Sequence, residues 1–146
     1  MYRFKLEALL NHHRHQEEVC QKDLARAEGQ LSAEQEKLRR LKEEKRENTQ
    51  KLQAKQKSHI NVSVIILSVN YIRQLSKDIE KQTDRVREAT WKMNEKRTEL
   101  VMIVKKRKTL EKLKEKEQLV FHRKMLQNER KVMDEVASIR HVRKMQ

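Results

Sequence analysis

Three histidines, His12, His13 and His15, and the lone cysteine, Cys20, are the residues of this chain best suited by type to hold a metal. On a helix, His12 and His15 share a face at i,i+3. Two imidazoles fall short of the three or four ligands that a zinc site needs, and Cys20 lies more than one turn away. The histidines read as solvated side chains and Cys20 as a small buried hydrophobe. Paired carboxylates, Glu17-Glu18 and Glu43-Glu44, have the groups for acid–base work but no pocket to perturb them. With Gly29 as its single glycine, the chain cannot build a phosphate-cradling loop. The run Lys105-Lys106-Arg107-Lys108 could meet phosphates, yet four consecutive helical residues point around most of the circumference. Aromatics that could stack on bases (Tyr2, Phe4, Tyr71, Trp91 and Phe121) are scattered. The expectation is a non-enzymatic chain with no catalytic residue, cofactor, metal or specific nucleic acid, working by contact with other proteins.

Such contacts must be presented by the elements beneath them, and composition narrows what those can be. Hydrophobic residues make up 36% and charged residues 40%, with one Gly and no Pro, so a broad core is excluded. A net charge of +14, from 36 Lys+Arg against 22 Asp+Glu, favours acidic partners. One cysteine excludes an internal disulfide and fits a reducing compartment. The opening residues carry Glu7 where a signal peptide needs an unbroken apolar run. The densest apolar stretch, Val62 to Val69, is far short of the roughly 20 residues that span a bilayer. A soluble, cytoplasmic protein is expected.

Apolar residues recur in alternating steps of four and three: Leu6, Leu10, His13, Glu17, Cys20, Leu24, Ala27, Leu31. The series continues through Glu34, Leu38, Leu41, Lys45, Asn48, Leu52 and Lys55. A mean step of 3.5 residues is the mark of a left-handed supercoil, and it separates this chain from a disordered one. Several places are polar, so this helix is a weak coiled coil by itself. Glu18/Lys22, Glu36/Arg40, Glu47/Lys51 and Glu88/Lys92 add i,i+4 pairs in the favourable order.

A second series runs Ile65, Ile72, Leu75, Ile79, Gln82, Val86, Ala89, Met93, Lys96, Leu100, Ile103, Arg107, Leu110. Leu113, Glu117, Val120, Leu126, Met133, Val136 and Ile139 carry the stripe onward. Between the two series the step fails, β-branched residues cluster, and Ser58, Asn61 and Ser63 offer capping side chains. The expected fold is all-α, a long antiparallel two-helix coiled coil over residues 1–146 as a single domain. Helix one covers about 3–57, a turn about 57–64 and helix two about 65–142, with helix two overhanging or running alongside the start of helix one. A single continuous dimerising helix would need an unbroken stripe through 57–64, which is absent. Trp91, between the seam places Ala89 and Met93, has two readings: an exposed anchor for a partner, or a side chain lying along the supercoil groove.

Phe4-Lys5-Leu6-Glu7-Ala8-Leu9-Leu10, followed by Arg14 and Glu17-Glu18, resembles the opening of the flagellar FliJ family. So does Tyr71-Ile72-x-x-Leu75-x-x-x-Ile79-x-x-Gln82. Arg107-Lys108-Thr109-Leu110-Glu111-Lys112-Leu113-Lys114-Glu115 and Met133-Asp134-Glu135-Val136-Ala137 extend the likeness across the chain. The resemblance implies a stalk of the type III flagellar export apparatus, similar in fold to the rotor stalk of rotary ATPases. It implies three partners: the hexameric export ATPase, the cytoplasmic domain of the membrane export gate, and export chaperones. It places the protein in the cytoplasm, peripheral at the cytoplasmic face of the inner membrane at the flagellar base.

On that resemblance, the ATPase contact falls to the terminal end, with Arg3, Lys5, Leu6, Leu9, Arg14, Met133, Ile139, Arg140, Arg143 and Lys144. The gate contact falls to Leu41, Tyr71, Leu75 and Gln82. The His12/His13/His15 cluster is foreign to the family pattern and receives no role. The stalk of a virulence secretion system, a basic coiled coil that binds nucleic acid and a passive scaffold stand as alternatives.

Overall fold

In the computed structural model, residues 1–58 and 61–146 are described, and they form two α-helices and no strand. α1 spans Glu7–Gln56 and α2 spans Val62–Met145. The fold class is all-α, as the two periodic series require. Of the turn expected at 57–64, His59 and Ile60 lie outside the described residues.

Local chemistry fixes the helix ends. The Glu7 amide donates to the Phe4 carbonyl (3.2 Å), and Glu7 supplies an acidic side chain to the positive end of α1. At the other end both the amide and the hydroxyl of Ser58 donate to the Lys55 carbonyl, each at 3.3 Å. That satisfies one of the carbonyls every helix end leaves open. Asn61 caps α2: its side-chain oxygen accepts the Ser63 amide at 3.2 Å.

The chain divides into two compact units, the first made of Met1–Glu18 and Val101–Gln146, the second of Val19–Leu100. Within each unit the two helices run antiparallel. In the second, Cys20 reaches Lys96, Glu34 reaches Gln82 and Glu44 reaches Tyr71. In the first, Glu7 meets Lys114 and Glu17 meets Arg107.

The interior is a seam about one side chain wide. Leu10, Cys20, Ala27 and Leu31 of α1 are buried, and on α2 only Leu75 and Gln82. Every seam place expected on α1 from Leu10 to Lys55 is at least half-covered, as are those on α2 from Ile72 to Leu110. Two departures have plain causes. Leu6 is exposed, and Phe4 is buried instead, because residues 1–6 precede α1 and the helical period does not govern them. Beyond Leu110 the expected stripe faces solvent at Leu113, Val120, Leu126, Met133, Val136 and Ile139. The start of α1 reaches only as far as Lys114, through Glu7, and residues 122–146 are exposed throughout.

Candidate docking surfaces

Within the first unit, a group of charges fastens the start of the chain to α2. Lys114 Nζ stands 2.8 Å from Glu7, and Arg14 stands 3.6 Å from Glu111. Arg107 donates from Nη1 to Glu111 at 2.9 Å, while its buried Nε faces Glu17 as an ion pair without hydrogen-bond alignment. Glu111, bonded to Arg107, holds its proton less tightly than an ordinary glutamate. The Arg107 guanidinium is pushed up in turn, first by Glu111 and then by Glu17. The Tyr2 hydroxyl donates to Glu117 at 3.2 Å, and its ring tilts against Phe121 with centroids 5.6 Å apart. Burial first, then the Glu117 bond, raises its pKa. Glu17 and Arg107 are both seam places in the sequence; their opposite charges, set against each other by an antiparallel register, were the signal for this pair.

The residues expected at the terminal end all belong to this unit, but they are not one cluster. Arg3, Lys5, Leu6, Leu9 and Arg14 are exposed on the first residues of the chain. Met133, Ile139, Arg140, Arg143 and Lys144 are exposed on the unpaired part of α2. Tyr2 packs on Phe121, and Met133 follows twelve residues later, about 18 Å farther along the helix. The termini therefore offer two surfaces, because α2 runs on where α1 has none of its length left to pair.

Of the residues expected at the gate, Tyr71 is exposed and Leu41 half-buried. Leu75 and Gln82 are 3% and 4% exposed, so they are seam residues and not part of an accessible surface. Gln82 donates its amide to the Glu34 carbonyl at 3.0 Å and also to the Glu34 carboxylate. The Tyr71 hydroxyl donates to the Glu44 carboxylate, which raises the tyrosine pKa. Between the two readings of Trp91, its 63% exposure favours the outward one.

His13 Nδ1 lies 3.2 Å from the Gln16 side-chain oxygen, and the His12 and His13 rings are 6.0 Å apart. No group of three or more His, Cys, Asp or Glu among the described residues is placed to hold a metal ion. Cys20 is buried, its thiol directed at the Lys96 carbonyl (3.6 Å), and burial pushes its pKa up. In the run 105–108, Lys105, Lys106 and Lys108 are exposed while Arg107 turns inward, so it forms no single basic face.

No described helix is long and apolar enough to cross a membrane. The model of one protein family, described as flagellar FliJ protein, matches residues 2–146. No curated protein and no solved structure matches the chain.

Proposed function

The chain belongs to the flagellar FliJ protein family, whose members are components of flagellar type III export, and on that premise we propose that it is a non-enzymatic stalk of the export machinery. Its terminal end enters the pore of the hexameric export ATPase and promotes ring assembly and hydrolysis. Elsewhere it contacts the cytoplasmic domain of the membrane export gate and the export chaperones. It works in the cytoplasm, peripheral to the inner membrane.

The observation carrying this reading is the unpaired end of α2. A single helix about 10–12 Å across is narrow enough for a ring pore. Its exposed Leu126, Met133, Val136 and Ile139 are apolar groups in search of a partner, and Arg140, Arg143 and Lys144 suit an acidic lining. Arg3, Lys5, Leu6, Leu9 and Arg14 form a second collar where the two helices run together. At the gate, Tyr71 and Leu41 are the contacting residues and Leu75 and Gln82 support them from the seam. Trp91 is an anchor for a further partner.

The test is to mix the full chain with its export ATPase and measure hydrolysis and ring formation. Stimulation is expected, falling at least ten-fold for Met133→Asp/Ile139→Asp and severalfold for Arg3→Ala/Lys5→Ala. An ATPase indifferent to the wild-type chain would remove the stalk reading.

A further inference from the structure

Acidic residues are absent from one long piece of this chain. Residues 48–77 hold Lys51, Lys55, Lys57, Arg73 and Lys77 and no Asp or Glu, although the chain has 22 acids in all. The piece is the end of the second unit at which α1 finishes and α2 begins. None of the ion pairs among the described residues uses these five cations. Glu47, one turn before Lys51, and Asp78, next to Lys77, border the stretch without closing an ion pair on it.

The same end carries aliphatic side chains in water. Val62, Ile66 and Leu67 are 67%, 54% and 68% exposed on the first two turns of α2. Ser63 and Asn70 are their polar neighbours on that side, so the face is uncharged from Val62 to Asn70, and Arg73 is the first charge beyond it. Lys51 and Lys55 lie one turn apart, about 6 Å along the end of α1, Lys51 exposed and Lys55 half-buried at the seam, and exposed Lys57 follows directly after the helix. Neighbours so close in the chain lie within about a Debye length of one another, roughly 10 Å, and share one positive field. Apolar wedge and basic collar are the two elements by which a protein rests in the boundary of an anionic membrane.

We propose that this end docks on an anionic lipid bilayer, with Val62, Ile66 and Leu67 seated among the headgroups and Lys51, Lys55 and Lys57 against the lipid phosphates. Three considerations select that occupant. A second copy would bring two lysine triads together, which like-charge repulsion opposes. Specific protein interfaces centre on Trp, Tyr and Arg, whereas this patch has Val, Ile and Leu at its middle, and Tyr71, one turn past Leu67, is engaged by Glu44. The cations that the end of α1 supplies are all Lys, point charges suited to a diffuse anionic field and lacking the guanidinium fork that reads one carboxylate; Arg73 lies two turns farther along α2. The contact deepens the peripheral membrane placement proposed above and rests on it for that much, but it concerns residues other than the ATPase contact, and vesicle binding can fail or succeed whatever the ATPase does.

Flotation of the full chain with vesicles tests it. On 70:30 phosphatidylcholine/phosphatidylglycerol the wild type is expected to bind at least ten-fold more tightly than on phosphatidylcholine alone. Each lysine near such a surface is worth about five-fold in partitioning, so Lys51→Gln/Lys55→Gln/Lys57→Gln should weaken binding roughly a hundred-fold. Ile66→Gln/Leu67→Gln, exposed positions whose helicity is checked by circular dichroism, should weaken it about ten-fold. Arg140→Gln/Arg143→Gln/Lys144→Gln removes as much charge from the other unit and should leave binding within two-fold. In a Trp91→Phe background, Leu67→Trp should shift its emission to the blue on anionic vesicles. Three results would each overturn the proposal: no vesicle binding, as when an acidic protein is the true occupant; equal loss from both charge variants, meaning adsorption by net charge alone; or no blue shift, meaning no insertion.

Discussion

Arg107 on α2 meets Glu17 on α1 inside the first unit, with the two side chains 21% and 15% exposed. A charge pair so covered contributes little over a well-packed apolar pair, but losing one member strands the other. Because about a fifth of each remains wet, Arg107→Ala should cost about 2 kcal/mol, below the range for fully buried pairs. Glu17→Leu/Arg107→Leu should recover most of that. Urea unfolding followed by circular dichroism measures both; a double variant no better than the single would mean the pair is not the source.

Packing in a seam this narrow should concentrate energy at few positions. Leu10 is fully buried and Leu75 nearly so, so Leu10→Ala and Leu75→Ala should each cost about 2–4 kcal/mol. Leu126→Ala, at a residue 53% exposed, should stay within about 0.5 kcal/mol. Thermal melts of the three variants give the comparison.

Acid should weaken α1 through Glu36. Its carboxylate accepts hydrogen bonds from Arg39 (2.7 and 2.9 Å) and Arg40 (3.3 Å), and the Arg39 bond chiefly lowers its pKa from 4.5 to about 2. A carboxylate whose folded pKa lies below its unfolded value stabilises the fold while ionised. The contribution is whole above about pH 4.5 and fades as the pH falls toward about 2. The Glu36→Gln variant, lacking that titration, should lose less helicity than wild type over the same interval. A carboxyl resonance of Glu36 titrating at an ordinary pH would refute the cause.

Gly29 sits in the middle of α1, and a methyl group added there would meet nothing within 4 Å. Gly29→Ala should therefore raise stability by about 1 kcal/mol, through backbone entropy alone. A drop in melting temperature would point to a partner or a packing contact at that face.

The sequence disclosed the period, the antiparallel pairing and the polar interruptions, because a 3.5-residue step tells which side of each helix is apolar. It could not tell how far the partner helix reaches. Leu38 and Leu126 look alike in the series, yet one has α1–α2 pairing around it and the other has only water. For the same reason Leu75 and Gln82 appeared both as seam and as surface, and only the register with Glu34 decides between these. Phe4 has no place in either periodic series, because helical spacing says nothing about residues that precede the helix. The split of the terminal residues into two groups likewise depends on where α1 begins, a boundary that repeating patterns locate only to within a few residues.

The last 25 residues have a thermodynamic character of their own. A detached peptide of that length would be a marginal helix in water, held back by the cost of its first turn. Here that turn is already made, since α2 arrives from its paired stretch with the ladder formed. Helicity past Phe121 is inherited by propagation, so heating should fray it inward from Met145, with amide exchange graded along the segment. A ring or groove that closes on this segment would find a probe already straight and would spend little of its affinity on ordering it.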